Sequence, residues 1–190
     1  RNVELEKFED ETMNHVRERY NLESLKDGST FRAYRDFFWK IEIDPTKIRP
    51  AAEALIRRVL GGKTIPHINT LVDAYNLASI KTEIALAAFD ADKLKGELIM
   101  RFAEKGEQFL GIGMEKPMLL QGGEIVVSDG EKLVAVYPYR DADDTKITEK
   151  TKNVMLLVCG VPGNSEKTLQ NAAQVALEHV LRFCDGEGKM

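Results

Sequence analysis

Cysteine is scarce: only Cys159 and Cys184 occur among 190 residues, so a disulfide framework is not what holds this chain together. Cys159 sits in an apolar run and reads as a packing thiol, and both cysteines are expected to be reduced, as in a cytoplasmic protein. The three histidines, His15, His67 and His179, are far apart, and neither cysteine has a metal-ligating neighbour at short spacing. That spacing predicts no metal site, and no cofactor is expected. No apolar run approaches the roughly 20 residues of a membrane span, and the charged N-terminus has no signal-peptide core, so no membrane partner is expected. With a net charge of −4, 31% charged and 43% hydrophobic residues, the chain is neither disordered nor a generally basic DNA-coating protein. A local basic patch is still compatible with that balance. The length suits one domain, expected over residues 1–190 with an N-terminal helical extension.

Nucleotide-binding and hydrolase signatures are absent as well. Gly61-Gly62-Lys63-Thr64 resembles the end of a P-loop, but Arg57 stands where the first glycine belongs, and the segment follows a helix rather than a strand. Gly111 and Gly113 form a G-x-G with no third glycine and no following helix, so the dinucleotide fingerprint fails. No G-x-S-x-G nucleophile elbow occurs. Asp90 and Asp92 read as caps of a short turn beside Lys93 rather than as a catalytic carboxylate pair.

What is present is an α/β alternation. Phe8, Met13, Val16 and Tyr20 share one face of a helix over Val3 to Tyr20. Ser29 is expected to cap a second helix, whose aromatic face of Phe31, Tyr34, Phe37 and Phe38 packs inward. The turn DPTKIRP from Asp44 to Pro50 leads into a helix ending near Leu60, with Ala54, Leu55 and Val59 as its buried stripe and Gly61 and Gly62 as a left-handed stop. Arg57, Arg58 and Lys63 lie beside that stop, either as solvated charge at a helix C-terminus or as a phosphate-facing patch. Leu98, Met100 and Phe102 alternate with Ile99 and Arg101 in the period-2 pattern of a half-buried strand. Glu124 to Val127, Asp129-Gly130 and Lys132 to Tyr137 spell a hairpin. Val154 to Val158 reads as a strand covered on both faces. Ser165 to Phe183 is a capped helix with a stripe of Leu169, Ala172, Ala173, Ala176, Val180 and Phe183.

The most informative stretch is Asn69 to Leu94, a helix handing over to extended chain, in which Tyr75, Asn76, Ser79 and Lys81 intrude among apolar positions. Such polar groups suit the wall of a pocket, with Asn76 and Ser79 as the candidates for catalysis and Tyr75 and Lys81 for substrate contact. The polar segment Arg140 to Asn153 is either a solvated loop or a flap offering Arg140, Asp144, Thr145 and Lys146 to a polar ligand.

Taken in order, Pro50 to Leu60, Asn69 to Lys95, Glu104 to Ile112, Ser128-Asp129-Gly130 and Thr148 to Leu157 resemble the B3/B4 module of the phenylalanyl-tRNA synthetase beta subunit. The resemblance is stronger still to free-standing proteins made of that module alone. It runs from about Tyr34 to Gly163, and Asn76 followed by A-F-D-A-D-K-L-K-G from Ala88 to Gly96 is its most specific part. It implies an α+β, layered fold with two packed, mainly antiparallel sheets flanked by helices. It also implies a pocket that hydrolyses the ester of a mischarged aminoacyl-tRNA, with tRNA as partner. The class II aminoacylation motifs are absent, so a complete ligase is not expected. Asn76 stands where the synthetase module has its pocket asparagine, whereas Tyr75, Ala87 and Leu157 occupy the positions of its threonine, histidine and glutamate. Without the histidine and glutamate of that module, the polar residues that remain suggest a mechanism in which Asn76 or Ser79 positions water with the ribose hydroxyl assisting, amides near Gly111 or Gly113 hold the oxyanion, Asp144 binds the ammonium, and Arg57, Arg58 and Lys63 meet phosphates. The other reading is a non-catalytic module that binds tRNA or a small amino-acid-like ligand.

Overall fold

The amphipathic segments fold into helices that pack on one another, and the β-rich segments from Ala85 to Cys159 form small sheets. A computed structural model describes residues 2–190 and divides them into two compact units. The first runs to Leu86 and resumes from Leu157 to Met190, and the second spans Ala87–Leu156. The α+β class with antiparallel sheets is present as expected.

In the first unit, α1 (Val3–Arg19) starts where the Asn2 side chain accepts from the amides of Glu4 and Leu5 at 3.0 and 3.2 Å, and it buries Leu5, Met13 and Val16. α2 (Ser29–Lys40) buries Phe31, Tyr34 and Phe38 as expected but leaves Phe37 half-buried, and Gly28 occupies the cap position while Ser29 is already the first helical residue, making no capping bond. α3 (Ala51–Leu60) buries Ala52, Ile56 and Val59. Those three, spaced four and three residues apart, line up on a helix of about 3.6 residues per turn, which turns Ala54 outward instead of into the expected stripe. Beyond α3 the left-handed residue is Gly62, at φ 78°, and not Gly61.

The Asn69 side chain caps α4 (Thr70–Thr82) by accepting from Val72 N at 3.0 Å. α4 ends at Glu83, held at φ 64° while its carboxylate accepts from the Tyr20 hydroxyl at 2.7 Å. α5 (Glu166–Phe183) is capped by Ser165 and lies along α4. Its buried stripe keeps Ala172, Ala176 and Phe183 and adds Val175 and His179. Inside this unit the buried Tyr34 hydroxyl donates to Cys159 O at 2.6 Å and accepts from Ala85 N at 3.0 Å. That phenol satisfies two backbone groups at once.

The chain passes between the units within β1 (Ala85–Asp90) and β8 (Val154–Cys159), which pair with each other. Met155 on β8 is exposed, so this strand is not covered on both faces. The second unit contains β2 (Ile99–Phe102), β3 (Gln108–Phe109), β4 (Met118–Leu119), β5 (Ile125–Ser128), β6 (Leu133–Val136) and β7 (Arg140–Asp141). β3 pairs with β4, and an antiparallel sheet runs in the order β2-β5-β6-β7. The β5–β6 turn closes on Asp129, whose carboxylate accepts from the amides of Glu131, Lys132 and Lys95 at 2.8, 2.8 and 2.9 Å. β2 forms as expected but at the sheet edge, leaving Met100 and Phe102 54% and 69% exposed, so its alternation reports strand without reporting burial. Phe109, Leu120, Val126, Leu133, Val136 and Ala142 belong to this unit's core.

Candidate functional site

α4 carries the polar residues expected to line a pocket, and the structure gives them different surroundings. Tyr75 and Asn76 are half-buried, and no hydrogen bond among the described residues engages the Asn76 amide. Ser79 lies inside the unit, with its hydroxyl donating to Ile84 O at 2.6 Å. Its one proton therefore closes the turn between α4 and β1 and is not available to a substrate. Lys81 is exposed and turns toward α1, where it lines a hollow of about 230 Å³ with Phe8, His15, Val16, Tyr20 and Ile80.

The other expected contacts belong to the second unit. Gly111 is buried and bridges to Ala142, and a Cβ there would meet Cγ and Cδ of Arg140, so a larger residue would require that side chain to move. The Gly111 amide is directed at Met114 Sδ at 3.3 Å. Gly113 is exposed at φ 80°. Arg140 donates to Ile112 O at 3.2 Å. Asp144 pairs with Lys132 at 2.6 Å and Lys146 with Asp143 at 2.7 Å, while Thr145 is fully buried. Tyr75, Asn76, Ser79 and Lys81 thus fall in one unit and Gly111, Gly113, Arg140, Asp144, Thr145 and Lys146 in the other.

Sequence reasoning passed over Asp141. On β7 it lies opposite Ala135, which lies opposite Val127, so it shares one sheet face with two buried apolar side chains. Its carboxyl has no hydrogen-bond partner among the described residues, and burial pushes its pKa up to about 7. The signal was a cross-strand register, which a chain of letters does not display.

Arg57, Arg58 and Lys63 do come together. With Lys47 and Arg49 they line a hollow of about 420 Å³ in the first unit, which no carboxylate lines. Arg57 is fixed from beneath: the fully buried Glu53 carboxylate accepts from Arg57 Nε at 2.7 Å and from Arg35 Nε and Nη2 at 2.9 and 2.7 Å. Burial pushes the Glu53 pKa up, but the bonds from Arg35 and Arg57 outweigh it and hold the carboxyl below its ordinary value. Arg58 Nε donates to Thr64 O at 2.6 Å, which anchors the base of that guanidinium. Lys47 and Arg49 come from the turn before α3, on the far side of Pro50 from the other three cations. Among the described residues, no group of three or more His, Cys, Asp or Glu is arranged to hold a metal ion, and no helix is long and apolar enough to cross a membrane.

Known proteins resemble this chain over part of its length. The B3/4 domain family matches residues 33–185. The phenylalanine–tRNA ligase beta subunit of Fusobacterium nucleatum is 34% identical over 103 residues, which is 53% of this chain and 13% of that subunit. That of Geobacter metallireducens is 32% identical over 110 residues, 57% of this chain and 14% of the subunit. The chain therefore spans only a small part of these ligase subunits. An N-terminal fragment of the phenylalanyl-tRNA synthetase beta subunit from Pyrococcus horikoshii shares the fold, with a TM-score of 0.51 and 20% identity over 62% of this chain and 42% of the fragment. With four-fifths of its residues inside the family match, this chain belongs to the B3/4 domain family, related to the B3/B4 region of the phenylalanyl-tRNA synthetase beta subunit.

Proposed function

We propose that this chain acts in trans as an aminoacyl-tRNA deacylase, hydrolysing the ester of a mischarged tRNA in the cytoplasm. The observation that carries the reading is the half-buried Asn76 amide on α4, unengaged among the described residues, in a chain of the B3/4 family. An amide offers both a donor and an acceptor, so it can orient a water for attack on the ester carbonyl. The new carbon–oxygen bond forms as the bond to the ribose oxygen breaks. One water proton passes to the leaving ribose oxygen, assisted by the neighbouring ribose hydroxyl, and the other is lost to bulk water, so that the amino acid departs as its carboxylate. Because the ester is already activated, positioning can supply most of the acceleration.

Tyr75, next to Asn76 in α4, is assigned as a substrate contact, whereas Lys81 faces the hollow beside α1, which Asn76 does not line. No contact with the ester held by Asn76 is assigned to Gly111, Gly113, Arg140, Asp144, Thr145 or Lys146, which belong to the second unit, where Thr145 is fully buried. Arg57, Arg58 and Lys63 are assigned to tRNA phosphates. Ser79, buried and donating to Ile84 O, is given no contact with substrate. The test is a panel of mischarged tRNAs incubated with the full chain, scored by release of the free amino acid. Turnover of at least one tRNA above its spontaneous rate supports the proposal, and turnover of none overturns it.

A second reading, a binding module without catalysis, is favoured by Ala87 and Leu157, which put no polar group where the synthetase module has two. Salt-dependent tRNA affinity without turnover would select it, and thermal stabilisation by a free amino-acid-like metabolite without tRNA binding would select its small-ligand form.

A further inference from the structure

The hollow beside α3 has properties that single cations on a surface do not. Ala54, on the outward face of α3, and Gly61, at its C-cap, have almost no side chain and leave the floor of the hollow open. Five cations stand around that floor in a chain whose net charge is −4. Its volume, about 420 Å³, falls in the range of ligand sites, about 300–1,000 Å³, and is open enough for more than one small anion. Arg57 and Arg58 are held in place by Glu53 and the Thr64 carbonyl, so ordering their long side chains costs a ligand little. Lys47, Arg49 and Lys63 make no ion pair among the described residues, although the Asp44 carboxylate, occupied by Thr46, lies near Lys47. No aromatic side chain lines the hollow, so it has no platform for a base.

We propose that this hollow is a phosphodiester site that seats consecutive phosphates of an RNA backbone without reading its bases, with Lys47 and Arg49 as contacts equal to Arg57, Arg58 and Lys63. The absence of a stacking surface selects a backbone over a mononucleotide. The choice of RNA rests on the proposed function, since inorganic phosphate and pyrophosphate share the same chemistry. Glu53 is a positioning residue here, acting through Arg57.

The test is a salt titration of binding between the full chain and fluorescent RNA, using a tRNA and two single-stranded oligonucleotides of equal length and different base. Lys47 and Arg49 are exposed, so a double Lys47→Ala, Arg49→Ala variant should keep the melting temperature of the parent chain. In that variant the slope of log affinity against log salt should become shallower by about 1.4 to 1.8, at roughly 0.7–0.9 for each of the two phosphates no longer neutralised. The two oligonucleotides should bind within a few-fold of each other. An unchanged slope, a strong base preference, or binding of pyrophosphate but not RNA would each overturn the site. Deacylation is read separately: a chain that hydrolyses nothing yet loses RNA affinity in the double variant keeps this site and loses the hydrolase reading. A chain that hydrolyses, and whose double variant binds RNA as the parent does, keeps the hydrolase and loses the site.

Discussion

Glu53→Gln should destabilise the first unit by about 3–5 kcal/mol, the usual cost of removing one partner from a buried ion pair. The Glu53 carboxylate is 0% exposed and takes three bonds of 2.7 to 2.9 Å from Arg35 and Arg57, whose side chains are only 16% and 18% exposed. Glutamine keeps the volume but turns an NH2 group toward guanidinium donors and leaves two cations uncompensated. At roughly 2–4 °C per kcal/mol for a chain of this length, the melting temperature should fall by about 6–20 °C. The acid limb gives a second readout. Because the folded Glu53 pKa lies below its ordinary value of 4.5, its contribution is complete above that value and is lost as pH falls through the folded pKa. Urea unfolding followed by circular dichroism at several pH values measures both. A Glu53→Gln variant within about 0.5 kcal/mol of the parent, well inside the cost expected for a broken buried pair, and with the same acid limb, would refute the reasoning that this triad holds α2 to α3.

Three further outcomes are expected. Tyr34→Phe removes the buried hydroxyl that bonds both Ala85 N and Cys159 O and should cost about 1–3 kcal/mol in denaturant unfolding; an unchanged midpoint would show that these bonds contribute nothing to stability. Asp141, with its folded pKa raised to about 7 from 3.8, binds more protons folded than unfolded between those values, so stability falls as pH rises through that window and the penalty is complete above it. Asp141→Asn should remove that slope and raise stability at pH 8 by up to about 4 kcal/mol, and a parent curve flat from pH 4 to 7 would contradict the placement. His179, edge-on to Phe8 at 5.0 Å, has a buried Nδ1 without a partner and a pKa lowered to about 4, first by burial and then by Lys81. The unfolded chain therefore takes up that proton first, and stability should drop between about pH 6.5 and 4 by up to about 3 kcal/mol, a loss absent in His179→Gln.

Local patterns were legible where one physical cause dominates. Ser165 followed by a 3.6-period stripe gave α5, and Asp129-Gly130 between apolar runs gave the β5–β6 hairpin, because capping and turn chemistry act within a few residues. The α3 face was displaced because Ala52, Ile56 and Val59 form a better stripe than the one centred on Ala54, and Glu53, a buried carboxylate, gives no apolar signal. β2 was legible as strand, but what covers a strand depends on sheet order, and β2 is at an edge. The same limit applies to function. Arg57, Arg58 and Lys63 were visible as neighbours in sequence, whereas Lys47 and Arg49 join them only through the bend at Pro50. Asp141 became notable only through its register with Ala135. The ordered motifs around Asn76 identified the family, whose match at residues 33–185 extends past the expected end near Gly163.

The claim on which the functional account depends is that the Asn76 amide positions the attacking water. Single-turnover deacylation of the most rapidly hydrolysed mischarged tRNA, comparing the parent chain with Asn76→Ala, tests it most directly, with Ser79→Ala as the control for a residue whose proton is used internally. Asn76→Ala should lose about 10² to 10³ in rate, the usual scale for removing one transition-state hydrogen bond, and Ser79→Ala should change it much less. Equal rates for the parent chain and Asn76→Ala would contradict that claim.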